Sequence, residues 1–309
     1  MRILIVGAGA IGGYFGGRLL QHGRDVTFLV RPARAAALAR SGLQIRSAAG
    51  DVTLPAPPTV LASELHTPYD LVLLSCKAYG LDEAMTDIAP AIGPQTTILP
   101  LLNGMRHLDL LDARFGAEHV LGGQCVIAAT LDAQGVVRHL NPSHSLTFGE
   151  RDGTSSERMR WITQCLTDAG FEARPSNSIL QDMWDKWVFL ASLAGITCLM
   201  RAPIGDIVAA PEGAVITLRL LEECRAVAER SGHALGEATW QRARGVLTES
   251  GSRLTASMLR DLQSGSSIEA DHVIGDMLAR ASEPRDGHSL LAVVYANLKA
   301  YEAGRARAT

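Results

Sequence analysis

A chain of 309 residues is long enough for two domains of ordinary size. With 47% hydrophobic and 20% charged side chains of mixed sign, it is neither disordered, coiled-coil nor collagen-like. Twenty-nine basic against 32 acidic residues leave a net charge of -3, which gives no sign of a nucleic-acid-binding face or a polybasic membrane anchor and fits a small-molecule partner better. Five scattered cysteines, Cys76, Cys125, Cys165, Cys198 and Cys224, form no C-x-x-C pair and read as thiols of a reducing compartment. The apolar run Ile3 to Val6 ends in glycines; it is too short for a membrane span or a signal peptide, so the expectation is a cytoplasmic protein with no targeting sequence.

In chain order, Ile3 to Val6, Val26 to Val30, Leu71 to Ser75 and Thr97 to Leu99 are short, β-branched or leucine-rich runs, each followed by turn residues. They predict buried parallel strands. Ala10 to His22, Ala33 to Arg40 and Leu81 to Ala89 predict the helical crossovers that parallel strands require. From Val120 to Gly149 the pattern becomes strands with turns at Asp132 to Gly135 and at Asn141-Pro142, read as an antiparallel extension of the sheet. The polar stretch Gly153 to Ser156 caps a helix running to about Gly170, and a short strand near Phe171 closes the first domain. Beyond it, Ile179 to Met200, Ala214 to Ser231, Ala238 to Thr248, Arg253 to Gln263, Ile268 to Ala281 and His288 to Ala303 all read as helices. The fold class is therefore α/β plus all-α, with domains at 1–175 and 176–309.

Gly7-Ala-Gly9-Ala10-Ile11-Gly12 follows the first strand directly and opens the first helix, the context that a dinucleotide-binding turn needs. Gly7 makes the turn, Gly9 lets a pyrophosphate approach the backbone, and Gly12 lets helix and strand pack closely; the N–H groups of Ala10 and Ile11 face the anion. The alternative is a purely structural βα turn. At the end of the second strand, where an NAD enzyme places a carboxylate for the ribose, stands Arg31. A guanidinium there grips a 2′-phosphate, which predicts NADPH over NADH; the alternative is an Arg solvated in a loop.

Ile179 to Met200 is apolar around nearly its whole circumference yet contains Lys186. A buried ammonium is costly unless paired or functional, which makes Lys186 a candidate proton donor. Asp182, four residues earlier, offers the competing reading of an i,i+4 ion pair. Glu269 invites the same caution, because Ser266-Ser-Ile-Glu269 fits a capping box at the start of the next helix, the reading that spacing favours. Asn103-Gly104 and Lys77 each follow a predicted strand, where a doubly wound sheet presents its ligand, and each is also ordinary turn chemistry. The nine histidines show no metal-ligand spacing, so no metal is expected.

Taken together, the glycine turn at 7–12, Lys77, Leu102-Asn103-Gly104-Met105, Trp184-Asp-Lys186, Ser257-Met-Leu259 and Glu269-Ala-Asp271 resemble the ketopantoate reductases over essentially the whole chain. The resemblance implies an N-terminal Rossmann-type dinucleotide-binding domain and a C-terminal helical domain of the 6-phosphogluconate dehydrogenase C-terminal-like type. It further implies reduction of 2-dehydropantoate with NADPH in pantothenate biosynthesis, by a cytoplasmic monomer or homodimer that engages neither membrane nor nucleic acid. In that reading Lys186 protonates the carbonyl oxygen, Glu269 orients the substrate or the lysine, Ser257 holds the substrate carboxylate, Asn103 lies beside nicotinamide and substrate, and Lys77 and Arg31 serve the cofactor. Four and eight residues after the lysine the family pattern has asparagines, whereas this chain has Leu190 and Ala194. That departure leaves room for another 2-keto or β-keto acid as substrate, with Thr197, nearly on the lysine's helical face, as a replacement hydroxyl. A non-catalytic NADP redox sensor is the reading from a different class.

Overall fold

A computed structural model describes residues 1–281 and 289–308. The first part runs β1 (Arg2–Val6), α1 (Ala10–Gln21), β2 (Asp25–Leu29), α2 (Pro32–Ser41), β3 (Leu43–Arg46), β4 (Val52–Leu54), β5 (Thr59–Val60), β6 (Leu71–Leu74), α3 (Leu81–Ile88), β7 (Thr97–Pro100) and α4 (Arg106–Phe115). It continues with β8 (Gly122–Leu131), β9 (Val137–Gly149), α5 (Glu157–Leu166) and β10 (Glu172–Pro175). The helices that follow are α6 (Ile179–Met200), α7 (Ile204–Ala209), α8 (Gly213–Arg230), α9 (Glu237–Leu247), α10 (Ser257–Gln263), α11 (Asp276–Ala279) and α12 (Leu290–Ala308), with a π-helical turn (Asp271–Gly275) leading into α11. Two compact units divide the chain, Met1–Leu102 with His107–Leu180, and Asn103–Arg106 with the residues from Gln181 onward. The four residues Asn103–Arg106, which follow β7, thus belong with the helices.

In the first unit a parallel sheet of order β5-β2-β1-β6-β7 takes up the four predicted strands. β6 and β7 are buried along their whole length, as expected of strands covered on both faces. The hairpin of β8 and β9 does not extend this sheet. It forms a second, mixed sheet in which β9 pairs antiparallel with β8 and parallel with β3 and β10, while β4 pairs with β3. A lone bridge from Ile98 to Val120 is where the chain passes from one sheet toward the other. The turn expected at Asn141-Pro142 is absent, because both residues lie inside β9. There the ladder shifts register between Ile127 and Ala129, and Asn141 Oδ1 accepts from the Ala128 N–H at 2.8 Å, a side-chain bond in a stretch where proline can offer the ladder no donor.

Helix α1 shows why the two sheets come together. A Cβ at Gly16 would lie 2.6 Å from Phe28 and 2.9 Å from Ile5 of the parallel sheet, while one at Gly13 would lie 2.9 Å from Val137 and one at Gly17 2.8 Å from Ile45 of the second sheet. Glycines four apart strip both flanks of the helix. Each costs about 1 kcal/mol of helix propensity, and close contact on two faces offsets that cost through dispersion and burial. Tyr14, Phe15 and Leu19 fill the intervening space, each 1% exposed or less.

In the second unit α6 has the predicted limits. By length and composition it could cross a membrane, but 67% of its most apolar window is buried, as in the core helix of a folded domain. Helix α10 starts at Ser257, later than the expected Arg253, and the next helical run starts at Ala270, so the Ser266–Glu269 spacing does not form the N-terminus of a helix. Ser266 instead bonds Ser264 at 2.9 Å and accepts from Tyr301 at 2.8 Å. The predicted start of the last helix, His288, lies outside the described residues.

Candidate active site

The order of the parallel sheet reverses between β1 and β6, and the chain leaving β1 enters the glycine turn at that point, where doubly wound sheets bind their ligands. Gly7 has φ +91°, a conformation open essentially to glycine, and its N–H is held by Leu29 O at 2.9 Å. At Gly12 a Cβ would sit 2.0 Å from Gly7 O and 2.3 Å from Ser75 Oγ, so packing alone forbids a side chain. Gly9 differs from both. It has an ordinary φ of -85°, and a Cβ there would meet nothing within 4 Å. Among the described residues no side chain caps the helix that begins at Ala10, and its first turn carries no acid, the condition in which a helix N-terminus can take an external anion.

Arg31 caps the start of α2 in extended backbone and is 74% exposed at its side chain. Its guanidinium pairs with Glu83 of α3, itself 56% exposed. Exposed pairs of this kind contribute little net stability, so the guanidinium can exchange Glu83 for a phosphate. Glu83 had no signal in the sequence beyond its place in a helical first turn. Lys77 is exposed and stands after β6, on the rim that holds the glycine turn and Ser75, whose Oγ donates to Val6 O at 2.8 Å.

In the helical unit, three segments remote in sequence converge on Gly104. That glycine has φ +79°, and a Cβ there would lie 3.0 Å from His272 O, 3.3 Å from His272 Cδ2 and 3.6 Å from Trp187 Nε1. Trp187 Nε1 donates to Val273 O at 3.0 Å, tying α6 to the π-helical turn. The structure therefore brings the Asn103-Gly104 turn, the residue beside Lys186 and the residues after Glu269 into one patch. Lys186 is half-buried and Glu269 is 9% exposed. Asp185 is drawn elsewhere, accepting from Gln181 at 2.8 Å and Thr239 at 3.4 Å, with burial raising its carboxyl pKa; it fastens α6 to α9.

His272 escaped the sequence reading. It is 6% exposed, and burial lowers its imidazole pKa, opposed by the charge of Glu269 and by a hydrogen bond to the Asn103 backbone, while Arg106 adds to the lowering. A neutral ring thus bridges two predicted site segments. Its only sequence signal is the Glu269-x-x-His spacing, one helical turn, and it sits in a π-helical turn, a distortion often found at functional sites.

Ser257 is half-buried at the first position of α10. Thr197 requires a correction as a substrate contact: it is 0% exposed, and its hydroxyl donates to Leu193 O at 2.6 Å, so its donor is consumed inside α6. No replacement hydroxyl comes from that position. Ala194 is 2% exposed and Leu190 is half-buried.

The family model described as Ketopantoate reductase PanE/ApbA matches residues 3–153, and that described as Ketopantoate reductase PanE/ApbA C terminal matches residues 178–302. The chain is 38% identical over 303 residues to the uncharacterized oxidoreductase YkpB of Bacillus subtilis, covering 98% of this chain and 99% of that one. It is 28% identical over 295 residues to a 2-dehydropantoate 2-reductase of Mesorhizobium japonicum, covering 89% of each. The crystal structure of 2-dehydropantoate 2-reductase from Methylococcus capsulatus matches with a TM-score of 0.86 at 28% identity, over 99% of this chain and 98% of that one.

Proposed function

The chain belongs to the ketopantoate reductase family, and from that premise we propose that it reduces 2-dehydropantoate to pantoate with NADPH. Its relatives are oxidoreductases acting on a CH–OH group, which sets aside the non-catalytic sensor. The observation that carries the reading is the convergence on Gly104 of the Asn103 turn, the Trp187 end of the Trp184-Asp-Lys186 motif, and the turn after Glu269.

The glycine turn fits a dinucleotide. At Gly9 the protein itself leaves room for a side chain, so what needs the missing Cβ is a ligand lying against the backbone. Gly7, Gly9, Ala10, Ile11 and Gly12 would hold the pyrophosphate, with Arg31 on the 2′-phosphate and Lys77 on the same rim. When bound, NADPH supplies the hydride that the carbonyl carbon takes up. Lys186 delivers the proton to the carbonyl oxygen, leaving a neutral amine that solvent reprotonates, so ketone, hydride and proton balance to the alcohol. Glu269 orients the ammonium or the substrate, the Ser257 hydroxyl donates to the substrate carboxylate, and the Asn103 amide positions the carbonyl.

Leu190 and Ala194 support a second reading, in which the same chemistry acts on another 2-keto or β-keto acid. Apolar side chains there offer no partner to a hydroxylated substrate, and lost hydrogen bonds are the larger source of discrimination. NADPH oxidation with 2-dehydropantoate, other 2-keto acids and β-keto acids, with NADH as control, separates the two. Preference for 2-dehydropantoate supports the first reading, preference for an unhydroxylated keto acid supports the second, and no turnover with any of them counts against both.

A further inference from the structure

Arg34 lies in the first turn of α2, one helical turn beyond Arg31, and its guanidinium points back to the glycine turn. Nε donates to Ala8 O at 3.0 Å and Nη1 to Gly135 O at 3.3 Å. Ala8 is 2% exposed. Position 135 is shaped to receive the guanidinium: Gly135 has φ +78°, and a Cβ there would come within 2.8 Å of Arg34 Nη1. Nη2 has no solvent-accessible surface and no partner among the described residues. One side chain therefore joins the peptide between Gly7 and Gly9 to the β8–β9 hairpin.

We propose that Arg34 is a positioning residue for the dinucleotide, which by gripping the Ala8 carbonyl fixes the Ala8–Gly9 peptide and turns the Gly9 N–H toward the bound pyrophosphate. The described peptide bonds are all trans, and in a planar trans peptide the carbonyl and the following N–H point to opposite sides. A carbonyl held from the α2 side thus commits the next N–H to the other side, and at Gly9 itself the protein leaves open space, a Cβ there meeting nothing within 4 Å. The turn needs such a clamp because flanking glycines leave its peptide plane free to rotate. The grip also sets a guanidinium behind the anion site, adding positive potential to that of the helix N-terminus. Burial pulls Arg34 somewhat below the usual arginine range, a shift a guanidinium tolerates while remaining charged.

The inference rests on the dinucleotide reading of the turn, and its signature differs from that of Arg31. Arg31 would meet only the 2′-phosphate, whereas Arg34 acts on the pyrophosphate turn that NADPH and NADH share. Calorimetric titration of both cofactors into wild type, R34Q and R31Q tests this, with R34K, which keeps the charge but has no fork for two carbonyls, as the milder variant. The expected result is that R34Q weakens NADPH and NADH by the same factor, roughly tenfold, with R34K intermediate and kcat at saturating NADPH near wild type; R31Q weakens NADPH alone. Wild-type affinity for both cofactors in a folded R34Q, or in R34K should R34Q not fold, overturns the role of Arg34 while leaving the dinucleotide reading in place. Wild-type protein that binds neither cofactor overturns that reading and the inference together.

Discussion

The α/β unit and the helical unit carry their candidate chemistry in different atoms. In the first, the glycine turn works through backbone N–H groups and through side chains that are missing. Gly7 is fixed by conformation and Gly12 by packing, whereas Gly9 answers to neither and is the position proposed for ligand approach. In the second, the proposed site of Lys186, Glu269, Ser257 and Asn103 would work through side-chain functional groups carried by α6, α10 and the turns of that unit. A backbone site admits few sequences, because a Cβ at Gly12 collides with Gly7 O whatever residue carries it. A side-chain site can change one group and keep the rest, as Leu190 and Ala194 illustrate. The cofactor half is thus the stiff part of the account, and the substrate half is where relatives can diverge.

The sharpest break between the two regions comes from K186A. Removing the proton donor is expected to lower kcat by about a hundred- to ten-thousand-fold while the NADPH dissociation constant stays within about twofold of wild type. A kcat near wild type would strip Lys186 of its role. G12A attacks the other region through packing, with contacts of 2.0 and 2.3 Å that the turn must relieve. It should lose about 2–4 kcal/mol in chemical denaturation and weaken cofactor binding as the turn shifts.

A smaller effect tests three imidazoles, one buried and two half-buried. Burial lowers the pKa of His144 in the first unit and of His233 and His272 in the second. A folded pKa below the unfolded value means that, as pH drops through about 6.5, the unfolded chain takes up protons the native one refuses. Stability therefore falls from that point until the folded values are reached. Tm measured from pH 8 down to 5.5 should decline by several degrees, and H272N should flatten part of the decline; a level profile would show that these rings titrate normally. The smallest effect is expected of T197V. Its hydroxyl donates to Leu193 O, so kcat and KM should hold and stability should change by less than about 1 kcal/mol; a raised KM would return Thr197 to the substrate site.

The elements of the parallel sheet were readable because each depends on a few consecutive residues: β1, the glycine turn, α1 and β2 all fall at or within a residue or two of their expected limits. The second sheet was not, since β3 meets β9 across about ninety residues of chain, and no local pattern encodes that partnership. Pro142 misled for the same reason, being a turn signal locally and a bulged strand in context. In the site, residue types were legible while their neighbours were not. Lys186 drew notice as a charge in an apolar helix and Glu269 through the family resemblance, whereas His272 and Arg34 matter through what they touch, the Asn103 backbone and Ala8 O. The capping box at Ser266 failed because the helical run starts at Ala270.

In the proposed function the first unit binds the dinucleotide through a backbone from which the ligand itself excludes side chains, and Gly9 isolates that effect. A Cβ at Gly9 meets no protein atom within 4 Å, so G9A should melt within about 1–2 °C of wild type. Calorimetric titration of NADPH into G9A is then the decisive measurement. Binding at least about tenfold weaker than wild type at unchanged Tm is expected; wild-type affinity in G9A would mean that the open space over Gly9 is not where the cofactor lies.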